Sequence, residues 1–268
     1  MLILGSDDTV GAGPSQHLEL DSGGSAGDAS AHFIACLATM ISVWFSASRR
    51  DRPDFPEAYD ASKRIWFMSH IDALQFPSLY LLSQGILGAK RARKRCIREY
   101  AHVEPGMRVL DIGCGPGYVI EYLPKVCYFG FDISQPYISY ARRKYGSQGA
   151  FFCQPFEAEI AKKLAPFDLI LMAGLLHHLN DAEAIGLLDL SKQAISGTGR
   201  LVTPDPCYHA NQSPIAKFLM NCDRGGSIRQ STEYVTLAPK IFGDVQLHIR
   251  EDLFFLPYTA AVMVCGVS

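Results

Sequence analysis

The sequence predicts an α/β fold: a doubly wound, mostly parallel sheet of seven strands that ends in a C-terminal antiparallel hairpin. Three observations carry this expectation. From residue 107 onward, short and nearly continuous apolar runs alternate with amphipathic stretches, as parallel strands covered on both faces do. The gaps between the first five runs leave room for crossover segments, which parallel pairing requires. The last two runs, VQLHIR (245–250) and AAVMVCGV (260–267), are joined through Pro257 by a loop too short for a crossover helix, so they pair antiparallel at or near one edge.

Taken in order, residues 1–32 are rich in Gly, Ser and Asp, show no sustained apolar period, and read as a disordered acidic tail. The first 48 residues hold five acids and no Lys or Arg, so the remainder carries a net +3 within an overall charge of −2. That balance excludes a strongly basic nucleic-acid binder, and 48% hydrophobic residues exclude global disorder. Residues 33–100 read as an N-terminal helical extension or lid. Within it, FIACLATMISVWFSA (33–47) is apolar and followed by Arg49 and Arg50. It has two readings, a membrane anchor or a packed helix. At about 15 residues it falls short of the roughly 20 that cross a bilayer, so the packed helix is preferred and no stable membrane insertion is expected. A helix over 78–100 carries Lys90, Arg91, Arg93, Lys94, Arg95 and Arg98, a phosphate-binding cluster or simply a solvated face.

The strands follow: MRVLDI (107–112), CYFGFD (127–132), AFFC (150–153), DLILMA (168–173) and RLVTP (200–204). A helix over 135–145 opens at Ser134 as cap with Pro136 in its first turn. Another over 181–196 opens with Asn180 and Glu183 at capping-box spacing. An apolar helix is expected over 214–222, inside an insertion at about 207–242. The eight cysteines include no C-x-x-C pair and sit mostly in apolar runs, which speaks for a reduced, buried set and against a metal or redox site. With no positive n-region at the N-terminus, a cytoplasmic location is expected.

The most specific signal is V-L-D-I-G-C-G-P-G (109–117), a strand ending in an acid followed by three glycines at alternate positions. Glycine lets the backbone turn sharply and lie against a ligand that a Cβ would hold away. A dinucleotide fingerprint needs a glycine three positions after Gly115, where Tyr118 stands, and no Gly-Lys-Ser/Thr follows to make a P-loop.

These residues resemble motif I of the class I S-adenosylmethionine-dependent methyltransferases. The resemblance continues through G-F-D-I-S (130–134), F-D-L-I-L (167–171) with L-H-H-L (176–179), and the G-R-L-V turn and strand (199–202). It covers roughly residues 80–268 and implies a Rossmann-like methyltransferase fold with S-adenosylmethionine as cofactor. By that resemblance, Asp111 and the backbone of Gly113, Cys114, Gly115 and Gly117 hold the methionine end. Asp132 takes the ribose hydroxyls and Ile133 lies beneath the adenine. Phe156 or Glu157 meets the adenine edge, though Q-P-F-E (154–157) departs from the family's usual Gly-Asp-Ala. Ala173 borders the sulfonium.

Methyl transfer needs alignment more than a catalytic group, and a base only where the acceptor must lose a proton. His177 and His178 are the candidate catalytic residues, with scaffolding of the turn as the alternative. Asp205, Tyr208 and His209 follow the fifth strand and are candidate substrate contacts. Arg224 and Arg229 either clamp an anionic group or pair with Asp223 and Glu233 to fix a lid. The implied activity is methyl transfer to a small-molecule acceptor, with oxygen ranked ahead of nitrogen and carbon. A catalytically inactive cofactor-binding scaffold, or an RNA or protein methyltransferase using helix 90–98, are the alternatives. Nucleic acid is not expected as a partner, and the oligomeric state is open.

Overall fold

In the computed structural model, residues 88–221, 226–238 and 241–266 are described. The expected tail (1–32), the apolar run 33–47, the first part of helix 78–100 and Arg224 lie outside these residues.

The sheet is built by β1 (Arg108–Ile112), β2 (Cys127–Asp132), β3 (Gly149–Cys153), β4 (Phe167–Leu171), β5 (Ile195–Tyr208), the two-residue β6 (Arg229–Gln230), β7 (Asp244–Arg250) and β8 (Ala260–Gly266). Its order is β3-β2-β1-β4-β5-β8-β7, with β6 pairing β5 off that path. β1 to β5 pair in parallel, while β8 runs antiparallel to both β5 and β7. The hairpin therefore inserts its second strand against β5 and leaves its first as the edge.

Burial follows the two-residue period of the strands. Leu110, Ile170 and Leu201 enter one apolar cluster, and their neighbours Val109, Leu169 and Val202 enter the other. Both faces are thus covered, and each such side chain contributes roughly 1.5–3 kcal/mol by leaving water. The strand order reverses between β1 and β4, which opens a crevice at their carboxyl ends.

α1 (Ala89–Cys96) continues into a π-helical turn over Ile97–Ala101. The remaining helices are α2 (Gln135–Tyr145), α3 (Ala158–Leu164), α4 (Asp181–Ala194), α5 (Pro214–Asn221) and α6 (Ser231–Leu237). The capping box of α4 forms as the spacing predicts: Asn180 Oδ1 accepts from Glu183 N (3.0 Å) and Glu183 Oε2 from Asn180 N (2.9 Å).

Several expectations are corrected. The sequence expects a helix from Tyr118, but Tyr118–Tyr122 makes only a 3₁₀ turn, with Pro124 two residues beyond it. Ser134 makes no side-chain cap, and Asp132 Oδ1 accepts from Ser134 N instead (2.7 Å). β5 runs on through Pro204 and Pro206, where the sequence suggested an end. Pro204 turns its polar edge toward the β4 side, accepting from Gly174 N (2.8 Å), while Cys207 N on the opposite edge donates to Thr259 (3.2 Å). β4 has ended by then, so the missing proline N–H groups interrupt no ladder.

The basic cluster on α1 is largely engaged. Arg91 Nη1 donates to Phe254 O (2.7 Å), Arg95 pairs with Glu99 (2.9 Å) and Asp252 (2.7 Å), and Arg98 reaches Glu99 (3.2 Å). Arg250 of β7 also pairs with Glu99 (2.7 Å). Burial works against ionisation of Glu99, yet its three arginine bonds hold its carboxyl down at about 2. This network ties α1 to β7 and the loop before β8.

Candidate functional site

Parallel register sets Asp111, near the end of β1, beside Gly130 of β2. Tyr128 of the same strand donates its hydroxyl to Asp111 Oδ2 (2.6 Å). Asp111 is 1% exposed, and its Oδ1 has no hydrogen-bond partner among the described residues. Burial pushes its carboxyl up to about 7, against the pull of the Tyr128 bond and with help from the nearby Asp132 charge. Burial also raises the Cys114 thiol, so Cys114 acts here as a small apolar filler.

The loop after β1 hangs on β2, with Gly113 N (2.8 Å) and Cys114 N (3.0 Å) both donating to Phe131 O. Gly113, Gly115 and Gly117 have φ of +73°, +53° and +78°. A Cβ on Gly117 would stand 2.9 Å from the Phe151 ring, whereas one on Gly115 would meet nothing within 4 Å. The loop is therefore packed at its far end and open in the middle. Asp132 closes it, accepting from Gly115 N (2.9 Å) and Ser134 N (2.7 Å) on different oxygens. Ile133, next in sequence, is 79% exposed, an unusual place for so large an apolar side chain.

A second constellation lies at the carboxyl ends of β4 and β5. Asp205 Oδ1 stands 2.9 Å from His177 Nδ1 and accepts from His177 N (3.2 Å), while Oδ2 accepts from the Thr203 hydroxyl (2.6 Å). All three groups are buried. The carboxylate acts as acceptor toward the backbone and the hydroxyl. A neutral imidazole in this contact donates through Nδ1 and carries its acceptor lone pair on Nε2. Gly174, at φ +67°, lies against this ring, since a Cβ there would stand 3.6 Å from His177 Cε1. From the other side, Ser227 N donates to His177 O (2.9 Å). Arg229 donates to Leu176 O (2.7 Å), Leu179 O (2.7 Å) and Asp181 Oδ1 (2.9 Å).

Residues 109–199 match the family model described as a methyltransferase domain. The match covers about a third of the chain, and the fold is that of the class I methyltransferases. Among solved structures, the chain is similar to the pyocyanin biosynthetic protein PhzM, with a TM-score of 0.58 and 19% identity over 89% of this chain and 69% of that one. The plantazolicin methyltransferase BpumL, solved with S-adenosylhomocysteine, gives 0.56 and 15% over 77% and 95%. The cyclopropane synthase MmaA2 from Mycobacterium tuberculosis gives 0.47 and 16% over 59% of this chain and 63% of that one. Identities this low speak for the fold alone. No curated protein matches the chain.

The residues around the glycine loop fit S-adenosylmethionine. The buried, unpartnered Asp111 Oδ1 takes a hydrogen-bond donor such as an ammonium group, and the space over Gly115 admits a ligand against bare backbone. Asp132 keeps lone pairs for hydroxyl groups beyond its two backbone bonds. Ile133 offers an apolar surface for a ring. Ala173, half-buried after β4, sits next to Gly174 and so close to His177. Phe156, in contrast, packs in the core against Phe131 (5.3 Å between ring centroids), while Glu157 is exposed at the start of α3.

His178 is exposed, and its ring lies 4.0 Å from that of His177. Tyr208 donates to Asn221 Oδ1 of α5 (2.8 Å), and His209 Nδ1 stands 3.2 Å from Ser231 Oγ of α6. Both thus anchor helices beyond β5. Arg229 is spent on carbonyls and Asp181, so it fixes a covering segment, though not through the expected Glu233, while Asp223 lies outside the described residues. Glu233 caps α6 instead, accepting from Gln230 N (2.6 Å). Sequence reasoning missed Tyr128 and Thr203. Each is a hydroxyl inside an otherwise apolar strand, and a buried hydroxyl needs a partner.

Proposed function

We propose that this chain transfers a methyl group from S-adenosylmethionine to an oxygen of a small-molecule acceptor, with His177 as the base. The observation that carries the reading is the His177–Asp205–Thr203 chain beside Gly174, at the strand ends next to the glycine loop. When bound, the cofactor supplies an electrophilic methyl group. The chain's own residues do the rest. Asp111 and the Gly113–Gly117 backbone hold the amino-acid end, and Asp132 and Ile133 hold the nucleoside end. Asp205 keeps the imidazole in one tautomer, so that Nε2 receives the proton of the acceptor hydroxyl. A positioned base of this kind contributes typically 10²–10⁴-fold. Arg229 and Ser227 brace the His177 turn, and the segment they belong to helps keep water out.

The test is calorimetric titration with S-adenosylhomocysteine, followed by an acceptor screen with the cofactor in excess. Binding that weakens at least tenfold in Asp132→Ala, with no binding of NAD, is the expected result. Turnover that falls 10²-fold or more in His177→Ala, at unchanged S-adenosylhomocysteine affinity, would support the base. Binding with no methylated product from hydroxyl, amine or carbon acceptors would replace this reading with a cofactor-binding scaffold.

A further inference from the structure

A polar groove of about 450 Å³ lies at the opposite end of the sheet from the glycine loop. Its floor is a row across three strands, in which Arg200 of β5 pairs with Gly266 of β8, and Gly266 with Asp244 of β7. One wall comes from the π-helical turn after α1, through Tyr100, with His102 at the rim. His248 of β7 completes it, its ring 4.9 Å from that of Tyr100.

Three features set this groove apart from ordinary surface. Arg200 is half-buried, and its guanidinium makes no hydrogen bond or ion pair among the described residues. Asp244 starts two strands away with its carboxylate leaning over Gly266, and it forms no ion pair with Arg200. Glu99, the other acid in the lining, is committed to Arg95, Arg98 and Arg250. Finally, both backbone irregularities of this region lie in the wall. The π turn spans Ile97–Ala101, and His102 is the one non-glycine residue at positive φ (+46°) among those described. Neither geometry is favoured on its own, and such features gather where a ligand is recognised. The His, Asp and Glu side chains do not converge on a metal-ligand set among the described residues. What is left over is a guanidinium fork, which matches a planar or tetrahedral oxyanion.

We propose that this groove is a second ligand site, for a small organic molecule bearing an oxyanion. The anion sits on Arg200, the body of the molecule lies over Gly266, and the Tyr100 and His248 rings flank it. The volume suits a molecule of one or two rings better than a bare inorganic ion.

The proposal is tested on the full chain with S-adenosylhomocysteine already saturating, so that the glycine-loop crevice is blocked. Phenyl phosphate, benzoate, inorganic phosphate and phenol are titrated in turn by calorimetry. Saturable binding of phenyl phosphate or benzoate is expected, and which of the two binds more tightly tells phosphate from carboxylate. Phenol should not bind. Affinity should fall at least tenfold in Arg200→Gln. It should fall likewise in Gly266→Leu, whose Cβ meets Asp244 only at an ordinary 3.6 Å and whose side chain fills the floor. Unchanged S-adenosylhomocysteine affinity in both variants confirms that they fold. No saturable binding, or binding untouched by either variant, overturns the site. Inorganic phosphate binding as tightly as phenyl phosphate overturns the organic ligand.

Discussion

Asp111 is a carboxyl group whose protonation is set by burial, and two measurable consequences follow. Its folded value of about 7 lies above the roughly 3.9 of an unfolded chain. A raised carboxyl favours folding at pH below about 4 and loses that advantage as pH climbs through about 7. Asp111→Asn keeps an acceptor for Tyr128 and removes the titration. It should therefore be more stable than the parent at pH 8, by ~2–4 kcal/mol, and closer to it at pH 5. Urea melts at the two pH values check this; equal stability at pH 8 would mean the carboxylate is buried at no cost. Binding has the opposite sign, because an ammonium group needs the carboxylate ionised. Affinity for S-adenosylhomocysteine should fall about tenfold per pH unit below 7, a slope absent from Asp111→Asn. For His177, Asp205→Asn replaces the carboxyl partner with an amide, so the imidazole loses the contact that orients it. Turnover should drop while cofactor affinity holds, read as kcat against Kd.

At the scale of elements, Gly117→Ala places a Cβ at φ +78° and 2.9 Å from Phe151, and should cost ~1–3 kcal/mol in urea melts. Arg229→Met leaves buried carbonyls of Leu176 and Leu179 without their donor and should cost ~2–4 kcal/mol. S-adenosylhomocysteine binding should survive that change, since Arg229 braces the turn after β4 rather than the glycine loop. Elements that depend on local chemistry were legible in the sequence: the capping box of α4, the hairpin of β7 and β8, and the glycine loop with its preceding acid. Elements decided by pairing were not. β5 overruns two prolines because its neighbour stops first, and α3 and α6 are too short to show an apolar stripe. The site divides in the same way. Asp111 and Asp132 stand in the stretches that carry the resemblance, but His177 and Asp205 are 28 residues apart, and only the β4–β5 register brings them together. For the same reason the choice between ligand clamp and lid anchor for Arg229 stayed open until its partners across 48 to 53 residues were in place.

Among the described residues the sheet is organised about β5, which pairs with β4, β6 and β8. Amide hydrogen exchange should accordingly be slowest in β1, β4, β5 and β8, and faster in the edge strands β3 and β7. Edge amides that exchange as slowly as those of β5 would point to a further partner for the sheet. The described cysteines are all unpaired. Two of them differ in a useful way. Cys153 lies beside the exposed Ile133, its sulfur 3.7 Å from Ile133 O, whereas Cys127 is exposed at the far end of β2. A thiol-alkylating reagent therefore carries its own reference. As S-adenosylhomocysteine is added, the label on Cys153 should slow while that on Cys127 keeps its rate. The chain thereby offers a built-in reporter that counts occupied nucleoside sites before any methyl acceptor is known.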